Sequence, residues 1–415
     1  MSKRQVNSSF VLVVVLVVSV GAFSAETEAP TEAPAPPTTR DLEAEAASST
    51  EDEPASADEK KKKKGGRLRD PLDGKFDLTA GSKRGSGWLP LAIPFNEPAL
   101  GVGLVAALAY IHPQKGSSGG GPGLSGRPPT VTFGGGGATT NGTWAAAAGH
   151  YHVFGDDKAR YLGAVAAGSV NLTFYGFGDQ PSDKDDGLDF TIDLVGTVQN
   201  LRFRIGDSGF FLGLRYVFAA TETTFDLDVP EVPLTGDSNL AGLTALLGFD
   251  NRDNIFTPSS GLEIDLDISW FNEAVGSDFN FERVDAFFRY YLPIKKKFVL
   301  GFRVDVDAAG DDAPFYALPF VVLRGVPIFR YLGNYVVTLE IEPRYKIDGR
   351  WSVLAFTGQG RAAREWDQMS DAEHAYNYGV GFRYLIARKL GLGVGLDIAV
   401  GPEETAPYLI IGSAW

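Results

Sequence analysis

The stretch "FDNRDNIFTPSSGLEIDLDISWF", residues 249–271, decides the fold. Its second half alternates without a break. Glu263, Asp265 and Asp267 stand on one side, and Ile264, Leu266, Ile268 and Trp270 on the other. Period-2 alternation marks a strand with two unlike faces. An acid at nearly every polar place, backed by an unbroken apolar face, fits a wall with water on one side and hydrocarbon on the other.

The pattern continues outward from this strand. Arg283, Asp285 and Arg289 oppose Val284, Ala286, Phe288 and Tyr290; Arg303, Asp305 and Asp307 oppose Phe302, Val304 and Val306; Glu340, Glu342, Arg344 and Lys346 oppose Leu339, Ile341 and Tyr345. A soluble sandwich also alternates, so length and charge must decide. The segments run to about 10–14 residues, nearer the ~9–11 of a tilted membrane crossing than the ~5–6 of a soluble strand. Their polar faces carry dense charge of both signs, and tight connections such as "KIDGR" alternate with long polar ones such as "REWDQMSDAEHAY". The expectation is an all-β chain: a closed transmembrane antiparallel β-barrel of about sixteen strands, over residues 71–415. Residues 88–111 read either as two strands or as one bent strand.

Composition bounds the rest. The 415 residues contain no Cys and carry a formal net charge of −14. This excludes a disulfide framework and thiolate chemistry, and nucleic acid is not an expected partner of so acidic a chain. Residues 1–25 have the layout of a secretory signal peptide: Lys3 and Arg4, the apolar run Phe10 to Phe23, then small residues, so that the mature chain starts at Ala25 or Glu26. Residues 26–70 are rich in Pro, Ala, Glu and Thr and lack apolar periodicity, which predicts a disordered periplasmic linker.

The turn within the opening stretch has its own logic. Asp250, Arg252, Asn254, Pro258 and Gly261 form D-x-R-x-N-x-x-x-P-x-x-G, in which Asp and Asn bond nearby backbone N–H groups, Pro fixes φ and Gly permits tight re-entry. With this motif the chain resembles the BamA/TamA outer-membrane assembly barrels, the bacterial surface antigen family, which carry it at a periplasmic turn. A second likeness is "VVLRGVPIFRYLGNYVVTLEIEPRY". There Arg324 and Gly325 match a loop that folds into the lumen, with Val326 in the usual aromatic position. The resemblance implies that Arg324 pairs with lumen acids. Relatives place one such acid at the position of Gly358, so the candidates here are Glu340, Glu342 and Asp397. A third likeness is the ending "APYLIIGSAW", whose Tyr408 and Trp415 stand where the family carries a C-terminal assembly signal, with Leu409, Ile411 and Trp415 of one parity. The segment 26–70 is too short for the family's periplasmic POTRA domains.

The resemblance implies an integral outer-membrane protein of a Gram-negative bacterium. Its implied partners are outer-membrane lipid and lipopolysaccharide, the assembly machinery during biogenesis, and client barrel proteins. Two functions stay open. One is assembly or translocation through a weak seam between the first and last strands. The other is a closed barrel acting as surface antigen, anchor or passive solute channel. Catalytic, cofactor and metal sites are expected to be absent. His150 and His152 share a face without a third ligand, "GDSG" at 206–209 lacks nucleophile-elbow spacing, and "GGGG" at 134–137 lacks the Lys-Ser/Thr of a phosphate loop. The acids Asp179, Asp183, Asp185, Asp186 and Asp189 read as a solvated outer loop.

Overall fold

The computed structural model describes residues 69–70, 72–77, 87–112, 130–177, 180–181, 187–225, 236–254, 256–388 and 391–415. The expected signal peptide and nearly all of the expected linker lie outside these residues, as do Asp179, Asp183, Asp185 and Asp186.

The strands in chain order are β1 (Gly87–Glu97), β2 (Gly101–Ile111), β3 (Val131–Thr139), β4 (Trp144–Phe154) and β5 (Ala159–Phe174). A small ribbon of β6 (Gly176–Phe177) and β7 (Gln180–Pro181) precedes β8 (Leu188–Arg204), β9 (Phe210–Phe225) and β10 (Gly236–Asp250). Then come β11 (Gly261–Phe271), β12 (Phe281–Lys295), β13 (Phe298–Ala309) and β14 (Tyr335–Lys346). The last are β15 (Trp351–Ala363), β16 (Ala375–Ala387), β17 (Leu392–Val400) and β18 (Thr405–Ile411). Sixteen of them, all but the ribbon, form one sheet in chain order, each antiparallel to its neighbours. Residues 88–111 are therefore two strands, joined by a tight turn at 98–100.

The faces sort as the alternation requires. In β11, Glu263, Asp265 and Asp267 are 1–5% exposed, whereas Ile264 and Trp270 are above 40%. Hydrocarbon would cover the latter pair, and the acids turn inward. The glycine run 134–137 serves packing: a Cβ on Gly135 would meet the Ala106 carbonyl at 2.5 Å and one on Gly136 the Ala145 carbonyl at 2.8 Å. Most short turns gather at one rim and the longer loops at the other, an asymmetry usual for such barrels, although the tight turns at 98–100, 140–143 and 401–404 share the long-loop rim. The connection from β2 to β3 is the long exception on the short rim, and it lies mostly outside the described residues.

The lumen is not an open pore. The loop 310–334 between β13 and β14 folds inward, and Phe320, Val321, Phe329 and Leu332 on it have no exposed surface. Phe329 adopts φ +66°, a conformation that packing must hold in place. The aromatic contact that Val326 lacks is supplied by Phe320 against Phe329, centroids 4.9 Å apart. Ion pairs fill the space beneath, among them Arg289–Glu263 at 3.1 Å and Arg215–Asp267 at 3.1 Å.

Candidate functional site

The turn after β10 lies at the rim where most short turns gather. Arg252 donates to both carboxylate oxygens of Asp250, at 2.9 and 2.6 Å, and reaches Glu263 at 2.9 Å. The Asn254 side chain accepts from the Phe256 and Thr257 amides at 2.9 Å each, and the Pro258 carbonyl accepts from Arg344 at 3.1 Å. Gly261 has φ +108°, and a Cβ there would lie 2.6 Å from the Arg252 Cα. All five motif residues thus shape one turn that packs across to β14.

Above it, Arg324 gathers three acids from two strands. Its guanidinium donates to Asp397 of β17 at 2.6 Å, to Glu342 of β14 at 3.1 Å, and to Glu340 of β14. The guanidinium carbon lies 3.5 Å from the Phe356 ring centroid. Neighbours share the load: Arg383 also donates to Asp397 at 2.8 Å, and Arg344 to Glu342 at 3.0 Å. Gly325, at φ +84°, donates its N–H to the Tyr408 hydroxyl at 2.7 Å. The missing acid at Gly358 has a steric reason. A Cβ there would meet Leu323 of the loop at 2.7 Å, and one on Gly360 would meet Val321 at 2.3 Å. Small residues on β15 make room for the plug, and Asp397 supplies the charge from the other side.

Trp415 does not continue the face that Leu409 and Ile411 present. The ladder of β18 stops at Ile411, and Gly412, at φ +81°, turns the chain inward. The indole is 2% exposed; it stacks on Tyr291 with centroids 5.6 Å apart and donates to Glu340 at 2.5 Å. Tyr408 and Trp415 both touch the Arg324 network. An indole N–H needs a partner once buried, and a lumen carboxylate provides it. Arg330, nearer the loop's exit, is not a solvated arginine: it pairs with Glu403 at 3.2 Å.

The β1/β18 edge is the second feature. The two strands lie side by side, yet no backbone ladder joins them. The Gly-rich β2 is laddered on both edges. Just before β1, residues 69–77 clasp the turns after β14 and β16. Arg350 donates to Asp73 at 2.7 Å, Asp77 at 2.8 Å and Asp70 at 2.5 Å, and Arg388 donates to Asp73 at 2.5 Å. Lys75 pairs with Asp348 at 3.1 Å. The hydrogen bond from Arg350 holds the Asp73 carboxyl down at about 2, and backbone N–H donors from Arg350 and Trp351 hold Asp348 at about 2. Arg69 and Asp70 fall on the linker side of the expected boundary, but both take part in this loop.

His150 and His152 lie on the outer wall, where Thr132 bridges His150 to His112 with contacts of 2.8 Å. Among the described residues no His, Asp and Glu cluster has metal-holding geometry, and no helix is long and apolar enough to cross a membrane. Asp189 accepts from Thr173 at 2.7 Å.

Sixteen antiparallel strands, plugged by their own loop and unladdered along one edge, define the fold of a transmembrane β-barrel. Residues 154–318 match the Omp85 superfamily domain. Its fold is similar to BamA from Haemophilus ducreyi lacking POTRA domains 1–3, with TM-score 0.55 and 11% identity over 80% of this chain and 70% of that one. It is also similar to CdiB from Escherichia coli, with TM-score 0.53, 12% identity and coverage of 79% and 61%. CdiB from Acinetobacter baumannii gives TM-score 0.50 and 7% identity, with coverage of 79% and 59%. The chain therefore spans about 60% of the length of the two CdiB chains. No curated protein matches the sequence.

Proposed function

We propose that this barrel handles other outer-membrane proteins, inserting or translocating them through the β1/β18 seam, in the outer membrane of a Gram-negative bacterium. The carrying observation is a free backbone edge on each side of an otherwise continuous sheet. Such an edge can pair an incoming strand of a client barrel. The plug held by Arg324 keeps the lumen filled while the edge works, which favours assembly over a passive solute channel. Lipid and lipopolysaccharide surround the wall, the assembly machinery folds it, and the linker from residue 26 up to the clasp lies in the periplasm after cleavage of residues 1–25. The surface antigen or anchor reading shares this fold and lacks the use of the edge.

The test is reconstitution of the purified protein in liposomes, followed by addition of a urea-unfolded eight-stranded outer-membrane barrel. Several-fold faster folding of that client than in empty vesicles is expected. Unchanged client folding, with or without a steady conductance, refutes the proposal.

A further inference from the structure

Five prolines lie within strands of the large sheet: Pro90 and Pro94 in β1, Pro293 in β12, Pro343 in β14 and Pro407 in β18. A proline has no N–H to give a ladder, and its ring intrudes on the neighbouring strand. The two interior prolines each sit at a fault. The β12–β13 register shifts just after Pro293, and the β14–β15 pairing lapses between Ile341 and Arg344 around Pro343. The other three lie in the two strands that fail to join.

Which way these three face follows from the backbone hydrogen bonds. Asn96 is paired with Val102, and the Val102 carbonyl is spent on β3, accepting from the Thr140 amide at 2.9 Å. Asn96 therefore turns its own N–H and C=O away from β2, and in an antiparallel ladder every second residue does the same. Trp88, Pro90, Ala92, Pro94 and Asn96 thus form the row that faces β18. On the other side, Gly412 donates to the Gly393 carbonyl of β17 at 2.7 Å, and the Glu404 carbonyl accepts from the Gly401 amide at 2.9 Å. Even-numbered residues of β18 therefore serve β17, and Thr405, Pro407, Leu409 and Ile411 face the seam. Two of the five donors on β1 and one of the four on β18 are missing.

We infer that Pro90, Pro94 and Pro407 are the device that keeps the seam from zipping shut, leaving β1 an acceptor-rich edge that pairs an extended strand only in part. Each carbonyl of the row remains, so a strand can dock. Missing donors at 90 and 94 interrupt the ladder at alternate bonded positions, so the docked strand is held in broken register and released readily. The strand that these prolines keep from pairing in full is β18, which lies beside β1. This goes beyond the assembly reading, because it concerns the state of the edge with no client present.

The experiment is hydrogen–deuterium exchange on the full protein in micelles, comparing wild type with Pro90→Ala/Pro94→Ala and with the triple variant that adds Pro407→Ala. In wild type, the amides of Trp88, Ala92 and Asn96 should exchange at least tenfold faster than those of the interior strands β11 and β13. In the variants, those amides and the new ones at 90 and 94 should slow by about tenfold or more as a ladder forms. The double variant leaves β18 native, so a folding failure of the triple does not remove the test. A folded variant whose seam amides exchange as fast as in wild type overturns the inference. Client folding reads the other question: a zipped seam with undiminished client folding leaves the proline inference standing and refutes insertion through this edge.

Discussion

Arg324→Ala is the perturbation with the largest consequence in the lumen. Three carboxylates lose a partner, but not equally. Asp397 retains Arg383 and Glu342 retains Arg344, whereas Glu340 keeps the indole N–H of Trp415. Glu340 is 2% exposed, so its charge is left buried with no guanidinium bonded to it, and Arg303, opposite it on β13, acts only through space. Removing one partner of a buried pair costs about 3–5 kcal/mol, against ~0–1 kcal/mol for a surface pair. Urea titration of the folded barrel, read by the gel shift between heated and unheated samples, should show that loss. Protease should also gain access to loop 310–334. Arg324→Lys should recover only part, because an ammonium cannot bridge two strands with a planar fork. Adding Glu340→Gln to Arg324→Ala should recover part as well, since it removes the stranded charge. Arg330 is unsuitable as the comparator because of Glu403; Lys296, exposed in the turn between β12 and β13, serves instead. If Arg324→Ala and Lys296→Ala unfold alike and neither exposes the loop, the lumen lock is refuted.

Other outcomes follow from the same geometry. On the lipid face, Leu266→Arg, paired across to Leu247 at mid-strand, should cost about 2–4 kcal/mol, and Trp270→Arg near the outer rim about 0–1 kcal/mol; equal costs in refolding titrations contradict the depth assignment. Trp415→Phe keeps an aromatic ending but loses the bond to Glu340, and should destabilise the folded barrel by about 1–3 kcal/mol; no change would place the side chain in lipid. The clasp should depend on acid. Asp73 and Asp348 are depressed to about 2 in the folded chain, so their contribution is complete above the ordinary carboxylate pKa of about 4 and is lost as pH falls toward 2. Protease cleavage near residues 69–77 should rise between about pH 4 and 2, and Arg350→Gln should allow it at neutral pH; a pH-independent cleavage pattern contradicts the clasp.

Much of this was legible in the sequence because a barrel wall imposes one rule on every residue. Alternation across β11, β12 and β13 gave the strands, and the inward acids follow from the same parity. Glu340, Glu342 and Asp397 were reached through the family resemblance, as acids able to replace the one that Gly358 lacks. What the sequence hid depended on breaks in that rule. Trp415 has lipid-facing parity with Ile411 until Gly412 turns the chain. Asp70, Asp73 and Asp77 sit in a segment with no strand period, so only their convergence on Arg350 reveals them. Pro90, Pro94 and Pro407 were visible, but the edge they face is fixed by which neighbour takes the alternate carbonyls, a long-range pairing that local pattern does not contain.

The central claim is that the β1/β18 edge is where this barrel works. The chain has no cysteine of its own, so pairs introduced between Trp88–Asn96 and Thr405–Ile411 can be screened for one that crosslinks on oxidation. With that pair in liposomes, the account predicts that oxidation abolishes the acceleration of client folding and that reduction restores it. Equal client folding in the oxidised and reduced states would contradict it.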